Sequence, residues 1–233
     1  MTRLDSRGLI GEFLGTALLL YVIVGSGIAA ESLSADGAIQ LAVHAVAVGA
    51  GLAGLIAFLA PVSGAHFNPA VTVGLSLTGD FGRPSVIPYV LAQVAGAVIG
   101  VVLANVSFGI AAVAISDTER SGLGLSLSEF IGTFVLVLLI IGLVRSGRTP
   151  MIPAAVGAWV AAIIIGTAST GFANPAVTMA RMFTDSYTGI APDSVPAFLI
   201  AQFLAALTAG ACAMLLFRTP VTTESVLQRK DPP

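Results

Sequence analysis

The chain has 233 residues, of which 56% are apolar and only 9% charged, with a formal net charge of -2. An ordinary soluble domain is about 45–50% apolar and about 25% charged, so this composition excludes a typical cytosolic enzyme, a disordered chain and a nucleic-acid binder, which needs a basic patch. The single cysteine, Cys212, leaves no disulfide framework and no cysteine-based metal site within one chain.

Taken in chain order, six apolar stretches are long enough for transmembrane helices of about 20 residues: 9–30, 39–60, 86–114, 125–144, 151–169 and 195–217. Turn and charge residues connect them at Glu31–Gly37, Asp80–Ser85, Ser116–Gly122 and Arg145–Pro150. The first stretch follows Arg3 and Arg7 and ends in Gly27-Ile28-Ala29-Ala30, which has the outline of a signal peptide. It reads as a retained span, because the first half needs it to match the second. Two further segments, 68–79 and 174–184, are apolar but too short to span. Short Gly/Pro-interrupted segments at matching places in two halves point to a site at the membrane midplane. The tail, 219–233, is polar.

Six spans put both termini on one side. Arg3, Arg7, Arg83, Arg145, Arg148, Arg218, Arg229 and Lys230 fall on that side, and only Arg120 and Arg181 on the other. The positive-inside rule then predicts a multi-pass protein of the inner (plasma) membrane with cytoplasmic termini and a cytoplasmic tail.

The halves, 1–115 and 116–218, repeat one another within one domain. Gly11-Glu12-Phe13-Leu14-Gly15-Thr16 returns as Ser128-Glu129-Phe130-Ile131-Gly132-Thr133, and Asn68-Pro69-Ala70-Val71-Thr72 as Asn174-Pro175-Ala176-Val177-Thr178. Pro88 with Gln93 returns loosely as Pro196 with Gln202. Three spans per half is an odd number. The second half therefore enters from the opposite face, which makes an inverted repeat.

Asn followed by Pro is a helix start: Asn caps free N–H groups, and Pro suits the first helical position because it has no N–H. Asn68 and Asn174 should begin two half-helices whose N-termini face each other near the midplane. Loops 62–67 and 169–173 would lead into them, tolerated at that depth only if covered by protein or lining water. Two helix N-termini carry positive partial charge, which repels a dehydrated cation and leaves donors and acceptors for a neutral hydroxylic molecule. This chemistry points to a pore for small neutral solutes.

The stretch Ser63-Gly64-Ala65-His66-Phe67-Asn68-Pro69-Ala70-Val71-Thr72 resembles the first signature of the aquaporin and aquaglyceroporin (major intrinsic protein) family. Asn174-Pro175-Ala176 resembles its second, and Glu12, Glu129, Gln93 and Gln202 match as well. The resemblance covers the whole chain. It implies an all-α transmembrane bundle of six tilted spans and two re-entrant half-helices, one pore per subunit, a homotetramer in the lipid bilayer, and passive transport of small neutral solutes and water without a cofactor or metal.

Most of the family carries Arg directly after the second Asn-Pro-Ala, as one of four residues of an outer constriction; here that position is Val177. Counting in the family's pattern assigns Val48 and Gly171 to two other positions, with neighbouring Phe172 as a substitute for Gly171. The last lies in the fifth span and is Ala162 by one count and Ile164 by another. Val is shorter than Arg and has no donor, so a wide, apolar constriction is expected. That favours glycerol-like polyols, urea and neutral metalloid hydroxides, with methylated arsenicals favoured by the apolar lining. The pattern is similar to that of aquaglyceroporins associated with bacterial arsenic resistance.

Arg181 lies four residues after Val177, on the same helical face. It reads either as a displaced cation in the outer vestibule or as an interfacial anchor or partner for Asp185. His44, four residues before Val48, reads either as a pH-sensitive group at the outer mouth or as a buried ring bonded to a carbonyl. His66 is expected to bond loop backbone with its ring or to line the cytoplasmic pore. Intramembrane acids are expensive and usually functional. The symmetric placement of Glu12 and Glu129 suits acceptors for loop N–H groups better than a proton relay. A water-selective channel and a proton-coupled transporter are the competing functions; an intramembrane enzyme has no metal-spaced His pair or nucleophile motif behind it.

Overall fold

A computed structural model describes residues 6–217, so Arg3, Arg218, Arg229, Lys230 and the tail 219–233 lie outside the described residues. Within them the regular structure is helical: α1 (Ser6–Leu33), α2 (Gly37–Ser63), α3 (Pro69–Leu77), α4 (Val86–Ser107), α5 (Leu123–Arg145), α6 (Ile152–Gly166), α7 (Pro175–Ala180) and α8 (Val195–Leu216). Short 3-10 turns containing Pro84, Pro150 and Pro192 lead into α4, α6 and α8, where a proline near a helix start costs no hydrogen bond. With these lead-ins, six helices are long and apolar enough to cross a membrane. The remaining two, α3 and α7, are the short ones.

Close helix crossings need glycine, because any larger side chain would hold the backbones apart. At the α2–α6 crossing a Cβ on Gly157 would lie 2.5 Å from the Gly49 carbonyl oxygen, and one on Gly49 would lie 2.7 Å from that of Gly157. The helices of the two halves thus touch backbone to backbone at matched positions. Large apolar side chains such as Phe58, Leu91, Leu123 and Ile200 point outward from the bundle, as a lipid-facing surface demands.

Two spans are shorter than the sequence suggests. The apolar run 86–114 is not all span: α4 ends at Ser107, and Gly109 adopts a left-handed φ of 72°. Left-handed glycine is a common helix stop. Beyond it the chain bends away as a loop, with Ala114 and Ser116 donating their N–H groups to the carbonyls of Phe183 and Met182. Apolar composition alone cannot separate such a loop from the end of a span. The run 151–169 likewise stops being helical at Gly166. In contrast, α2 continues through Pro61 to Ser63, so Val62 and Ser63 are helical and the first entering loop is residues 64–67.

Candidate functional site: a channel between two half-helices

The half-helices begin where the caps require. Asn68 accepts from the Ala70 N–H at 2.9 Å, and Asn174 accepts from the N–H groups of Ala176 at 2.9 Å and Val177 at 3.3 Å. Pro69 and Pro175 occupy the first helical positions. The two caps also hold each other. The Asn68 amide donates to the Ala173 carbonyl, and the Asn174 amide to the Phe67 carbonyl, both at 2.8 Å. The N-termini of α3 and α7 therefore meet inside the bundle.

The loops that lead in are strained in the same way. Gly64, Ala65 and Phe67 have positive φ, as do Thr170, Gly171 and Ala173. A left-handed residue with a side chain costs roughly 1–2 kcal/mol, so the surroundings must hold it there. Glu12 accepts from the N–H groups of His66 at 3.0 Å and Phe67 at 2.7 Å. Glu129 accepts from those of Phe172 at 2.9 Å and Ala173 at 2.8 Å. Gln93 ties Glu12 to Thr72 with bonds of 2.7 and 2.9 Å. Gln202 ties Glu129 to Thr178 with bonds of 2.6 and 2.8 Å. Among the described residues no backbone N–H reaches the carbonyls of residues 64–66 or 170–172, and these residues line an internal cavity. Their oxygens are free to accept from a passing molecule.

The cavity encloses about 540 Å³ and runs from His44 and Arg181 at one end, past Asn68 and Asn174, to Asp80 and Thr149 at the other. Its wall is mainly aliphatic, with Val48, Val71, Ile164 and Val177 around the half-helices. Gly171 also lines it, and a Cβ there would lie 2.6 Å from the Ile163 side chain. Of the two counts for the fifth span, Ile164 is buried against the cavity, whereas Ala162 is exposed on the outside of α6.

At the Arg181 end, its guanidinium lies 3.4 Å from the Phe172 ring centroid, and its Nε donates to the Thr188 carbonyl. Asp185 is not its partner. His44 also lines this end, with Nδ1 2.8 Å from the Ser26 hydroxyl rather than against a carbonyl, and its ring stands edge-on to Tyr187. His66 lines the other half of the cavity. Its ring nitrogen meets the Thr72 hydroxyl at 3.0 Å, not loop backbone, and the ring packs with Phe81 and Tyr89. Arg120, which sequence reading counted only as a charge, folds inward from the 108–122 loop; its Nε donates to the Gly189 carbonyl at 2.8 Å. Burial lowers its pKa from the ordinary arginine value and raises that of Tyr187 in the facing loop. Nothing in the sequence marks Arg120, because its position depends on how that loop folds back.

Residues 2–173 match the family described as major intrinsic protein. The chain belongs to that family. It is 43% identical over 213 residues to aquaglyceroporin AqpS of Rhizobium meliloti, covering 91% of this chain and 89% of the relative. It is 34% identical over 155 residues to the glycerol uptake facilitator protein of Streptococcus pneumoniae, covering 58% of this chain and 63% of that one. The X-ray structure of the aquaglyceroporin from Plasmodium falciparum superposes with a TM-score of 0.70 over 90% of this chain and 97% of that one, at 24% identity, a likeness of fold. The protein is thus a multi-pass membrane channel of the aquaglyceroporin type for small solutes, and its bundle is the aquaporin fold.

Proposed function

We propose that this chain is a passive channel with a wide, apolar filter, passing glycerol-like polyols and trivalent and methylated arsenicals. One observation carries the reading: Val177 stands on the cavity wall where most of the family has arginine, with Val48 and Ile164 also on that wall. Three branched aliphatic side chains supply no donor and no charge. A solute passing them loses hydration without replacement, so the barrier is lowest for molecules with apolar surface and few hydroxyls. The Asn68 and Asn174 amides and the free carbonyls of the entering loops then offer hydrogen bonds deeper in. Glu12 and Glu129 act as loop supports, and flux needs no proton gradient.

The channel is a homotetramer of the inner membrane with cytoplasmic termini and one pore per subunit. Arg181 serves as a cation displaced by one turn, guarding the outer mouth. A water-selective reading has one observation in its favour, the stacking of Arg181 on Phe172 close to Val177. Stopped-flow light scattering on proteoliposomes separates the two. Under the proposal, glycerol and arsenous acid enter well faster than into empty vesicles, whether or not a pH gradient is imposed. Fast water flux without either solute overturns it in favour of the water channel.

A further inference from the structure

The two arginines of the outer mouth are built into the wall as a pair. Three consecutive carbonyls hold them: that of Tyr187 accepts from an Arg120 terminal nitrogen at 3.4 Å, that of Thr188 from Arg181 Nε, and that of Gly189 from Arg120 Nε. The Phe172 ring lies beside both guanidinium groups, with centroid distances of 3.4 Å to Arg181 and 5.2 Å to Arg120. The two charges are therefore less than about 9 Å apart, roughly one Debye length in physiological salt.

Neither has a direct ion-pair partner among the described residues. Asp117, Glu119, Asp185, Asp193 and Glu31 lie in the outer connections, yet among the described residues no carboxylate is within ion-pair distance of Arg120 or Arg181. Glu129 acts on both charges only from a distance, because its oxygens are hydrogen-bonded to the Phe172 and Ala173 N–H groups and Gln202. Arg181 is only 4% exposed. A buried charge without an ion pair in contact is costly, and this one keeps its two terminal nitrogens free of protein hydrogen bonds while lining an open cavity. The free edge of a guanidinium with Nε occupied is its terminal fork, which matches the two oxygens of a carboxylate. On the wall of the same cavity are Phe172, Val177, Val48 and Ile164, which suit a short alkyl group.

We propose that Arg120 and Arg181 form a docking site for a short-chain monocarboxylate in the outer mouth. The carboxylate takes the Arg181 fork, Arg120 adds a second positive charge, and the alkyl group rests on Phe172 and the aliphatic wall. The anion goes no further, because the wall beyond offers no charge. A docked anion thus obstructs the neutral-solute path that the channel reading rests on.

Saturation-transfer proton NMR on the purified channel in detergent tests the site without reference to what permeates. The probe is propionate, with propionamide as its neutral counterpart, at constant ionic strength. The expected result is a propionate signal in the wild type that falls by about fivefold or more in Arg181→Met and in Arg120→Met, and by less in Arg181→Lys, which keeps charge but loses the fork. Propionamide, whose signal is unchanged across all four proteins, reports that the cavity is intact. No propionate signal in the wild type, or an equal signal in Arg181→Met, overturns the proposal. Glycerol influx into proteoliposomes should also fall saturably with external propionate in the wild type and not in Arg181→Met.

Discussion

The two re-entrant segments are near copies in their support and differ where they face the mouths. Counting from Asn68 and Asn174, Ser63 matches Ser169, Thr72 matches Thr178, Val71 matches Val177, and each Glu–Gln pair lies in the equivalent helices. The hydrogen bonds repeat almost bond for bond. Several positions break the copy, and two of them change its chemistry most. His66 corresponds to Phe172, and Leu75 corresponds to Arg181. Holding a strained loop at the midplane is one problem with one solution, used twice. The ends of the channel meet different surroundings, and there the repeat has diverged in chemistry: one mouth has an imidazole bonded to Thr72, the other an arginine stacked on an aromatic ring.

The largest effects should come from breaking what is shared. Glu12→Leu and Glu129→Leu each leave two loop N–H groups and a glutamine amide without their acceptor. A buried orphan costs about 1–3 kcal/mol, so each variant should lose several kcal/mol and all solute flux. Thermal unfolding in detergent should show similar drops for the two. A drop confined to one would mean that the matched bonds are not matched in weight.

Smaller effects should follow from changing what differs between the halves or from the family pattern. Val177→Arg restores the family's usual residue and should slow glycerol entry about tenfold, near 1.4 kcal/mol of barrier, while slowing water less. Equal slowing of both would remove Val177 from the filter. Arg181→Leu makes the second half copy the first at that position. It should shift the glycerol-to-water flux ratio about two- to threefold, under about 1 kcal/mol of barrier. An unchanged ratio would return Arg181 to a purely structural part.

What could be read from the sequence was local or repeated. Asn-Pro announces a helix start by its own chemistry, and an acid inside an apolar run announces a buried partner. Finding each twice, in order, made the half-helices and the six-span bundle legible. What could not be read depended on how distant segments lie together. The run Ile110–Ile115 has the composition of a span but is not helical, since Gly109 turns the chain out of the helix. That loop carries Arg120 to Phe172, a contact spanning 52 positions that no spacing encodes. The ring partner of His66 was equally hidden, because Thr72 reaches it only once α3 has formed.

The register of α6 is the finest case. The two counts for the fifth span differ by two residues, about 200° around a helix at 3.6 residues per turn, so they place opposite faces toward the cavity. The counts diverge because the 167–173 loop sets where α6 ends relative to Asn174, and loop length is what a count assumes. In the structure Ile164 is the inward residue and Ala162 the outward one. Trimming Ile164 to alanine removes three carbons from the wall without touching a hydrogen bond, so glycerol flux should rise about twofold, only about 0.4 kcal/mol of barrier. Ala162→Ile adds the same bulk on the outer face and should leave flux unaltered. If instead Ala162→Ile slows glycerol and Ile164→Ala does nothing, α6 is rotated in the working channel and the aliphatic lining opposite Val177 must be redrawn.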